Sequence, residues 1–228
     1  MLSMIALLQQ IKEDESQLLD LYRVFFRGKQ IKWQELKVDK SELDSYMMKI
    51  GYNKRNLILI SYAHHLQELL RMPRLDTHQL VKCIRQATAE CKRSYIIDMQ
   101  EASFRYKNVS SLKFMFNNMW KPFLNESTNK DLSLLPISFE LSFSSVFGAF
   151  LFSVKEIYSM FYRTFEEMKE SKKPPSATIF FGFFSKDPEF SSLRNHYERF
   201  NSKICKLLQM ILEEVSICLE LGRIQRKL

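Results

Sequence analysis

The four histidines are the first residues to consider for chemistry, because imidazole can bind a metal or transfer a proton near neutral pH. His64 and His65 are adjacent and Glu68 follows them, whereas His78 and His196 stand alone in the sequence. Adjacent helical residues point about 100° apart, so His64 and His65 do not form the i, i+4 pair that binds one ion. The sequence also has no Glu-x-x-His motif of the di-iron bundle type. We therefore expect no metal site.

Motifs for catalysis or cofactor binding are equally absent from the sequence. It contains neither Gly-x-Ser-x-Gly nor His-Glu-x-x-His, and five glycines are too few for a phosphate-cradling loop. The cysteines form no Cys-x-x-Cys pair, and their positions within helix-like segments predict buried free thiols. These residues are Cys83, Cys91, Cys205 and Cys218. The sequence predicts a protein that is not an enzyme and has no cofactor, and it carries no motif that resembles a known family.

An aromatic segment precedes the last predicted helix. Four phenylalanines flank Gly182, between a Pro-Pro pair and a helix cap at Asp187. Loops are usually polar, so this segment either folds back to plug one end of a bundle or inserts into a partner's groove, where aromatic residues dominate binding energy. A loop that dips into a membrane is a third option, supported by only a few nearby lysines. The candidate partner-binding residues are Phe180, Phe181, Phe183 and Phe184.

Positive charge is concentrated in the first half of the chain. Residues 23–113 contain 18 Lys+Arg and 9 Asp+Glu, whereas the remaining residues contain 16 and 17. Such an excess indicates either a basic face that meets phosphates or acidic partner residues, or a solvated face that keeps the protein in solution. The candidate basic face comprises Arg71, Arg74, Lys82, Arg85, Lys92, Arg93, Arg105 and Lys107.

The elements that position these residues are predicted to be helices. The chain of 228 residues is 46% hydrophobic, with 19 Phe but only 5 Gly and 6 Pro. This composition excludes disorder and collagen-like fibres and disfavours β structure, whose hairpins need turn residues. The predicted all-α fold is a bundle of about five to seven helices, with two long antiparallel helices at the C-terminal end.

Apolar periodicity predicts the N-terminal helices. The predicted helices cover residues 2–27, 42–71 with a break at Gly51, 76–106 and 110–124, and a helical turn is expected near 31–36. Ser41, Asn53 and Asp76 or Thr77 are the expected N-caps. The expected buried positions in the first two helices are Ile5, Leu8, Ile11, Leu18, Tyr22, Phe25, Leu57, Ile60, Ala63, His64 and Leu70. In the third they are Leu80, Ile84, Ala87, Cys91, Tyr95, Met99, Ala102 and Tyr106.

The C-terminal helices have the most regular pattern, with apolar residues at steps of four and three that alternate almost regularly. The first stripe runs Phe143, Phe147, Phe150, Val154, Ile157, Phe161, Phe165 and Met168. The second runs Phe190, Leu193, Tyr197, Phe200, Ile204, Leu207, Ile211, Val215 and Cys218. Asp187 followed by Pro188 is typical of a helix start, and Gly222 is the expected helix end.

We expect one helical domain over residues 1–228, with a possible division into a basic part at 1–124 and a helical hairpin at 131–228. The function expected from these features is a non-enzymatic interaction protein, a subunit or adaptor of an intracellular multiprotein assembly. Two alternatives stay open: a nucleic-acid-associated protein that uses the basic face, and a bundle that binds a lipid or hydrophobic ligand. No stretch is apolar enough for a transmembrane segment, contact with a membrane surface is not expected, and the location is either cytoplasmic or nuclear.

Overall fold

The protein is an all-α bundle, as the composition predicted. The computed structural model describes residues 4–27, 30–33, 36–49, 52–72, 76–105, 141–171 and 187–225. In this part of the chain the elements are α1 (Met4–Tyr22) with a π-helical extension (Arg23–Arg27), β1 (Gln30–Trp33), β2 (Leu36–Asp39), α2 (Lys40–Lys49), α3 (Asn53–Arg71), α4 (Thr77–Arg105), α5 (Phe143–Ser171) and α6 (Pro188–Gln225). These six α-helices fall within the predicted range, and all of them contribute side chains to one hydrophobic core.

The two longest C-terminal helices, α5 and α6, pack antiparallel, as predicted. Phe165 contacts Phe190 with ring centroids 5.8 Å apart, and Phe161 contacts Tyr197 at 5.4 Å. Further back along α5, the Tyr158 hydroxyl donates a hydrogen bond of 2.5 Å to Asn201 on α6. The apolar stripes of both helices are buried, apart from Met168, which is partly buried. The steps of four and three therefore predicted these two helices and their inward faces correctly.

The site depends on how α3, α4 and α6 are aligned. Helices α4 and α6 run parallel, because His78 lies beside His196 while Tyr95, further along α4, donates to Glu214, further along α6. Helix α3 runs antiparallel to α4, since its Tyr62 hydroxyl bonds to Thr88 at 2.8 Å and its early residues meet the end of α4. Because α4 and α6 are parallel, residues at a similar distance from the N-terminal end of each helix lie side by side.

Two of the expected N-caps are confirmed. The Asp76 carboxylate accepts a hydrogen bond from the Gln79 backbone N–H at 2.8 Å, and Asp187 accepts one from Glu189 at 3.0 Å. Each carboxylate satisfies a backbone donor that the first turn of a helix leaves without an internal partner. Pro188 is the first residue of α6, where its missing N–H has no cost.

The helical turn expected near residues 31–36 is wrong, because two short antiparallel strands occupy this region. Strand β1 pairs with β2 so that Gln30 lies opposite Asp39 and Trp33 lies opposite Leu36. The sequences Gln-Ile-Lys-Trp and Leu-Lys-Val-Asp alternate polar and apolar residues. That period of two is the signature of a strand, and the register pairs polar with polar and apolar with apolar residues.

The other two expected caps are also wrong. Helix α2 begins at Lys40, so Ser41 lies inside it, and α3 begins after Tyr52, whose side chain makes no cap hydrogen bond. Asp44 instead binds the start of α5. Its carboxylate accepts hydrogen bonds from the backbone N–H and the hydroxyl of Ser144, both at 2.8 Å. A cap supplied from another helix has no local signature in the sequence.

The buried faces of α1 and α3 differ from the predicted ones. Ile5 is 57% exposed, because residues two positions apart on a helix point nearly opposite ways and Leu7 takes the inward position. In α3, His64 is exposed and Leu57, Ile60 and Leu70 are only partly buried, although Ala63 is buried as expected. The buried residues of α3 are Arg55, Asn56, Ile58, Leu59, Ser61, Tyr62, Ala63, Leu66 and Leu69.

Gly222 does not end α6, which continues to Gln225. A Cβ atom at Gly222 would overlap the Tyr46 ring on α2, so this ring occupies the space that a side chain at position 222 would need. The glycine therefore accommodates the Tyr46 ring rather than ending the helix. The predicted helix at 110–124 lies outside the described residues, and the single-domain organisation stays a prediction.

Candidate functional site

A groove lined by positive charge lies between α4 and α6. Its volume is about 340 Å³ and it opens to the surface. Both walls contribute cations, because the parallel helices bring the first half of α4 beside residues 199–203 of α6. The lining residues are Lys82, Arg85, Gln86 and Ala89 on α4 and Arg199 and Lys203 on α6.

Buried apolar neighbours hold these cations at the rim of the groove. Ile84 precedes Arg85 and is fully buried, and Phe200 and Ile204 follow Arg199 and Lys203 directly and are also fully buried. A residue next to a buried helical position points about 100° away from it, toward the edge of the interface. The cations therefore share an edge because the apolar stripes of the two helices face inward.

Three of the four cations in the groove have no ion-pair partner among the described residues. Among the described residues, no carboxylate oxygen lies within the 4.0 Å ion-pair distance of Lys82, Arg85 or Arg199. Glu90 lies one turn further along α4, where its carboxylate accepts a hydrogen bond of 2.9 Å from the Gln86 amide. Like charges held together at a surface produce a positive potential that attracts anions.

Two histidines lie at one end of the groove, a turn before the cations of each helix. The rings of His78 and His196 are 6.5 Å apart. The Nδ1 atom of His196 is buried and has no hydrogen-bond partner among the described residues. Burial lowers the pKa of His196, and the charges of Arg85, His78 and Arg199 lower it further. Both arginines are therefore close enough to act on one ring.

A buried ionic cluster of Arg55, Asp98 and Glu214 with Tyr52 and Tyr95 joins α3, α4 and α6 beyond the groove. Arg55 donates a hydrogen bond to Glu214, and its Nε atom lies 3.1 Å from Asp98 Oδ2. Tyr95 donates to Glu214 at 2.5 Å and shares a hydrogen bond with Tyr52, whose ring lies 4.6 Å from the Arg55 guanidinium carbon.

Burial governs the electrostatics of this cluster. It raises the pKa values of Tyr52 and Tyr95 well above their ordinary range, so both hydroxyls stay protonated and can donate. Burial also raises the pKa of Glu214, while Arg55 and Tyr95 oppose that rise. Each charged group has a partner on another helix, so the cluster holds the three helices in one register.

The structure gathers only part of the predicted basic face. Lys82 and Arg85 line the groove, Arg71 is exposed at the end of α3, and Arg93 is partly buried. The expectation that Lys92 lies on an exposed face is wrong, because Lys92 is only 4% exposed. A long aliphatic stem allows most of a lysine side chain to be buried. Arg74, Lys107 and the Arg105 side chain lie outside the described residues.

Sequence reasoning missed Arg199 and Lys203. The C-terminal helices are nearly neutral as a whole, and that average concealed two cations spaced i, i+4 beside the apolar stripe of α6. Their spacing was visible, since residues four apart share one side of a helix. The parallel neighbour that makes them meet Lys82 and Arg85 was not visible, because no local pattern encodes it.

The other predicted features are placed as follows. Phe180, Phe181, Phe183 and Phe184 lie outside the described residues, so their role stays a prediction. All four cysteines are free, and Cys91 and Cys218 are buried as expected, whereas Cys83 is only partly buried and Cys205 is exposed. Across the described ranges, no three His, Cys, Asp or Glu side chains group closely enough to hold a metal ion. None of the described helices is long and apolar enough to cross a membrane.

The fold and the groove define an all-α bundle with a basic surface groove. The chain is similar to the uncharacterized protein P35G2.04c of Schizosaccharomyces pombe (strain 972), with 24% identity over 244 aligned positions. The similarity covers 94% of this chain and 96% of that protein. No family model and no solved structure matches the chain.

Proposed function

We propose that this protein is a non-enzymatic interaction protein, a subunit or adaptor of an intracellular multiprotein assembly, that binds an acidic segment of a protein partner in the groove. The observation that carries the proposal is the convergence of Lys82, Arg85, Arg199 and Lys203 on one groove. For Lys82, Arg85 and Arg199, no described carboxylate lies within ion-pair distance.

The electrostatics supports an anionic occupant. Four cations that share a groove repel one another, and an anion between them replaces that repulsion with attraction. Complementary charge also steers a partner toward the groove and orients it there. The apolar side chains beneath the cations belong to the core, so the groove is held by the rigid part of the bundle rather than by a loop.

The length of the groove favours a short acidic segment over a nucleic acid. Residues 82–89 extend about 10 Å along α4 at roughly 1.5 Å per residue. A duplex or long single strand presents phosphates over a much greater distance and is bound by an extended basic stripe. Because Lys92 is buried, the stripe does not continue at that position.

Affinity purification of the full chain tests this proposal. Co-purifying proteins are compared for the wild type, the double variant Arg85→Glu with Arg199→Glu, and the control Arg163→Glu. Arg163 is an exposed cation on α5, so its substitution repeats the charge reversal of each single change in the double variant at a different location. Circular dichroism spectra establish that each variant is folded before partners are compared.

We expect a set of partners that the double variant loses, that the Arg163→Glu variant keeps and that survives nuclease treatment. Partners that all disappear after nuclease treatment would favour the nucleic-acid alternative. Partners retained by a folded double variant would rule out the groove as the binding site.

A further inference from the structure

We propose that the groove recognises a phosphate monoester on the partner, a phosphoserine or phosphothreonine side chain held between Arg85 and Arg199. This inference rests on the proposed function, because it assumes that the occupant of the groove is a polypeptide. It adds the chemical group that the groove selects.

The number and type of the cations favour phosphate over carboxylate. A phosphate monoester carries a charge of about −1.5 to −2 at neutral pH and three acceptor oxygens. One arginine fork is enough to bind a carboxylate, but Arg85 and Arg199 approach the groove from opposite helices. Lys82 and Lys203 lie beside them as further point charges. A tetrahedral dianion can accept hydrogen bonds from both walls at once.

The histidine ring at the end of the groove responds to the charge of both arginines. Arg85 and Arg199 both lower the pKa of His196. A dianion placed between them would offset their effect on the ring. The buried Nδ1 atom of His196, which has no described partner, also gives the ring unused hydrogen-bonding capacity at this end.

The test measures binding of defined peptides to the full chain by nuclear magnetic resonance. The probe is a pentapeptide with a central phosphoserine between alanines, and its counterparts have serine or glutamate at the centre. Inorganic phosphate forms a separate arm. Backbone amide shifts at 82–89 and 199–203 report the site, and titration of the His196 ring reports its pKa.

We expect the phosphopeptide to bind about tenfold more tightly than the glutamate peptide, because its charge-assisted hydrogen bonds are more numerous. Binding should raise the pKa of His196. The folded variants Arg85→Glu and Arg199→Glu should each lose this binding about tenfold or more, since they place like charges together, whereas Arg163→Glu should keep it. Equal affinity for the phosphoserine and glutamate peptides would overturn the inference. An affinity for inorganic phosphate equal to that for the phosphopeptide would overturn the proposal that the phosphate is carried by a polypeptide.

A phosphatase arm separates failure of this inference from failure of the proposed function. Cell extract is treated with phosphatase before the affinity purification described above. If groove-dependent partners survive dephosphorylation, the groove binds an acidic segment and the phosphate inference is wrong. If groove-dependent partners are lost, the inference is supported. If a folded groove variant keeps every partner, the proposed function fails as well.

Discussion

Arg55 on α3 donates a hydrogen bond to Glu214 on α6, although the two residues are 159 positions apart in the chain. The exposed fractions of the two side chains are 1% and 0%. Asp98 on α4 completes the arrangement from a third helix. A fully buried arginine is therefore the described ion-pair partner of Glu214, whereas Asp98 also has Lys54 at 3.6 Å.

Removal of the Arg55 cation should be strongly destabilising. Replacement Arg55→Met leaves Glu214 buried without its counter-charge and Asp98 with only the half-exposed Lys54, and we expect the free energy of unfolding to fall by about 3–5 kcal/mol. Urea denaturation measures the change. The control Arg163→Met alters an exposed residue and should change stability by about 0.5 kcal/mol or less. A loss below about 1 kcal/mol for Arg55→Met would show that the cluster does not depend on its arginine.

The cap that Asp44 supplies to α5 should be measurable. In Asp44→Ala, the backbone N–H and hydroxyl of Ser144 lose their acceptor, and we expect a loss of about 1–2 kcal/mol. Hydrogen exchange should become faster in the first turn of α5. The matched variant Asp76→Ala removes a cap that comes from the residue just before its own helix, and it should affect only the first turn of α4. Unchanged exchange at the start of α5 would contradict a capping role for Asp44.

The contact between Gly222 and Tyr46 predicts that Gly222→Ala destabilises the wild type but stabilises a variant that lacks the Tyr46 ring. The added methyl group in Gly222→Ala meets the Tyr46 ring, whose hydroxyl is held by Glu42 at 2.9 Å. Overpacking costs about 1–3 kcal/mol, more than the ~1 kcal/mol that alanine gains over glycine in a helix. In the Tyr46→Ala background the obstacle is gone, so Gly222→Ala should stabilise. Thermal unfolding of the four proteins tests this, and stabilisation in both backgrounds would rule out the close contact.

The lowered pKa of His196 predicts a pH dependence of stability. As pH falls below the unfolded-state pKa of about 6.5, the unfolded chain binds a proton before the folded protein does. The contribution of His196 is therefore present above that pH and is lost toward acid. Burial and the facing groups His78, Arg85 and Arg199 cause the shift.

Urea unfolding at several pH values between 5 and 7.5 measures this effect. The stability of the wild type relative to His196→Gln should decrease as the solution becomes more acidic. His64→Gln changes an exposed histidine on α3 and serves as the control. A stability difference between wild type and His196→Gln that is constant over this range would contradict the prediction.

The parts of the fold that the sequence predicted correctly are those with a local physical cause. Apolar residues at steps of four and three predicted α5 and α6, and side-chain caps predicted the starts of α4 and α6. The inward face of α3 was misplaced because Arg55 and Asn56 are buried polar residues. A pattern based on hydrophobicity places such residues outside the core, and only their partners on other helices explain their burial.

The candidate site was half predicted for a related reason. Lys82 and Arg85 stand out because they lie in the basic part of the sequence, whereas Arg199 and Lys203 both lie in α6, a helix of balanced charge. Their meeting depends on the parallel alignment of α4 with α6, which is a property of the packed bundle. The hydrogen bond between Tyr95 and Glu214 depends on that alignment, and no spacing in the sequence predicts it.

The same hydrogen bond has a consequence for how the chain folds during synthesis. A ribosome adds about 5–20 residues per second, so the 119 positions between Tyr95 and Glu214 take roughly 6–24 s to make. During that interval Tyr95 and Arg55 have already been synthesised, but Glu214, the carboxylate that binds both, has not. Helix α6 is therefore the last of the described elements to be made, and the hydrogen bonds of Arg55 and Tyr95 to Glu214 form only after it has been synthesised.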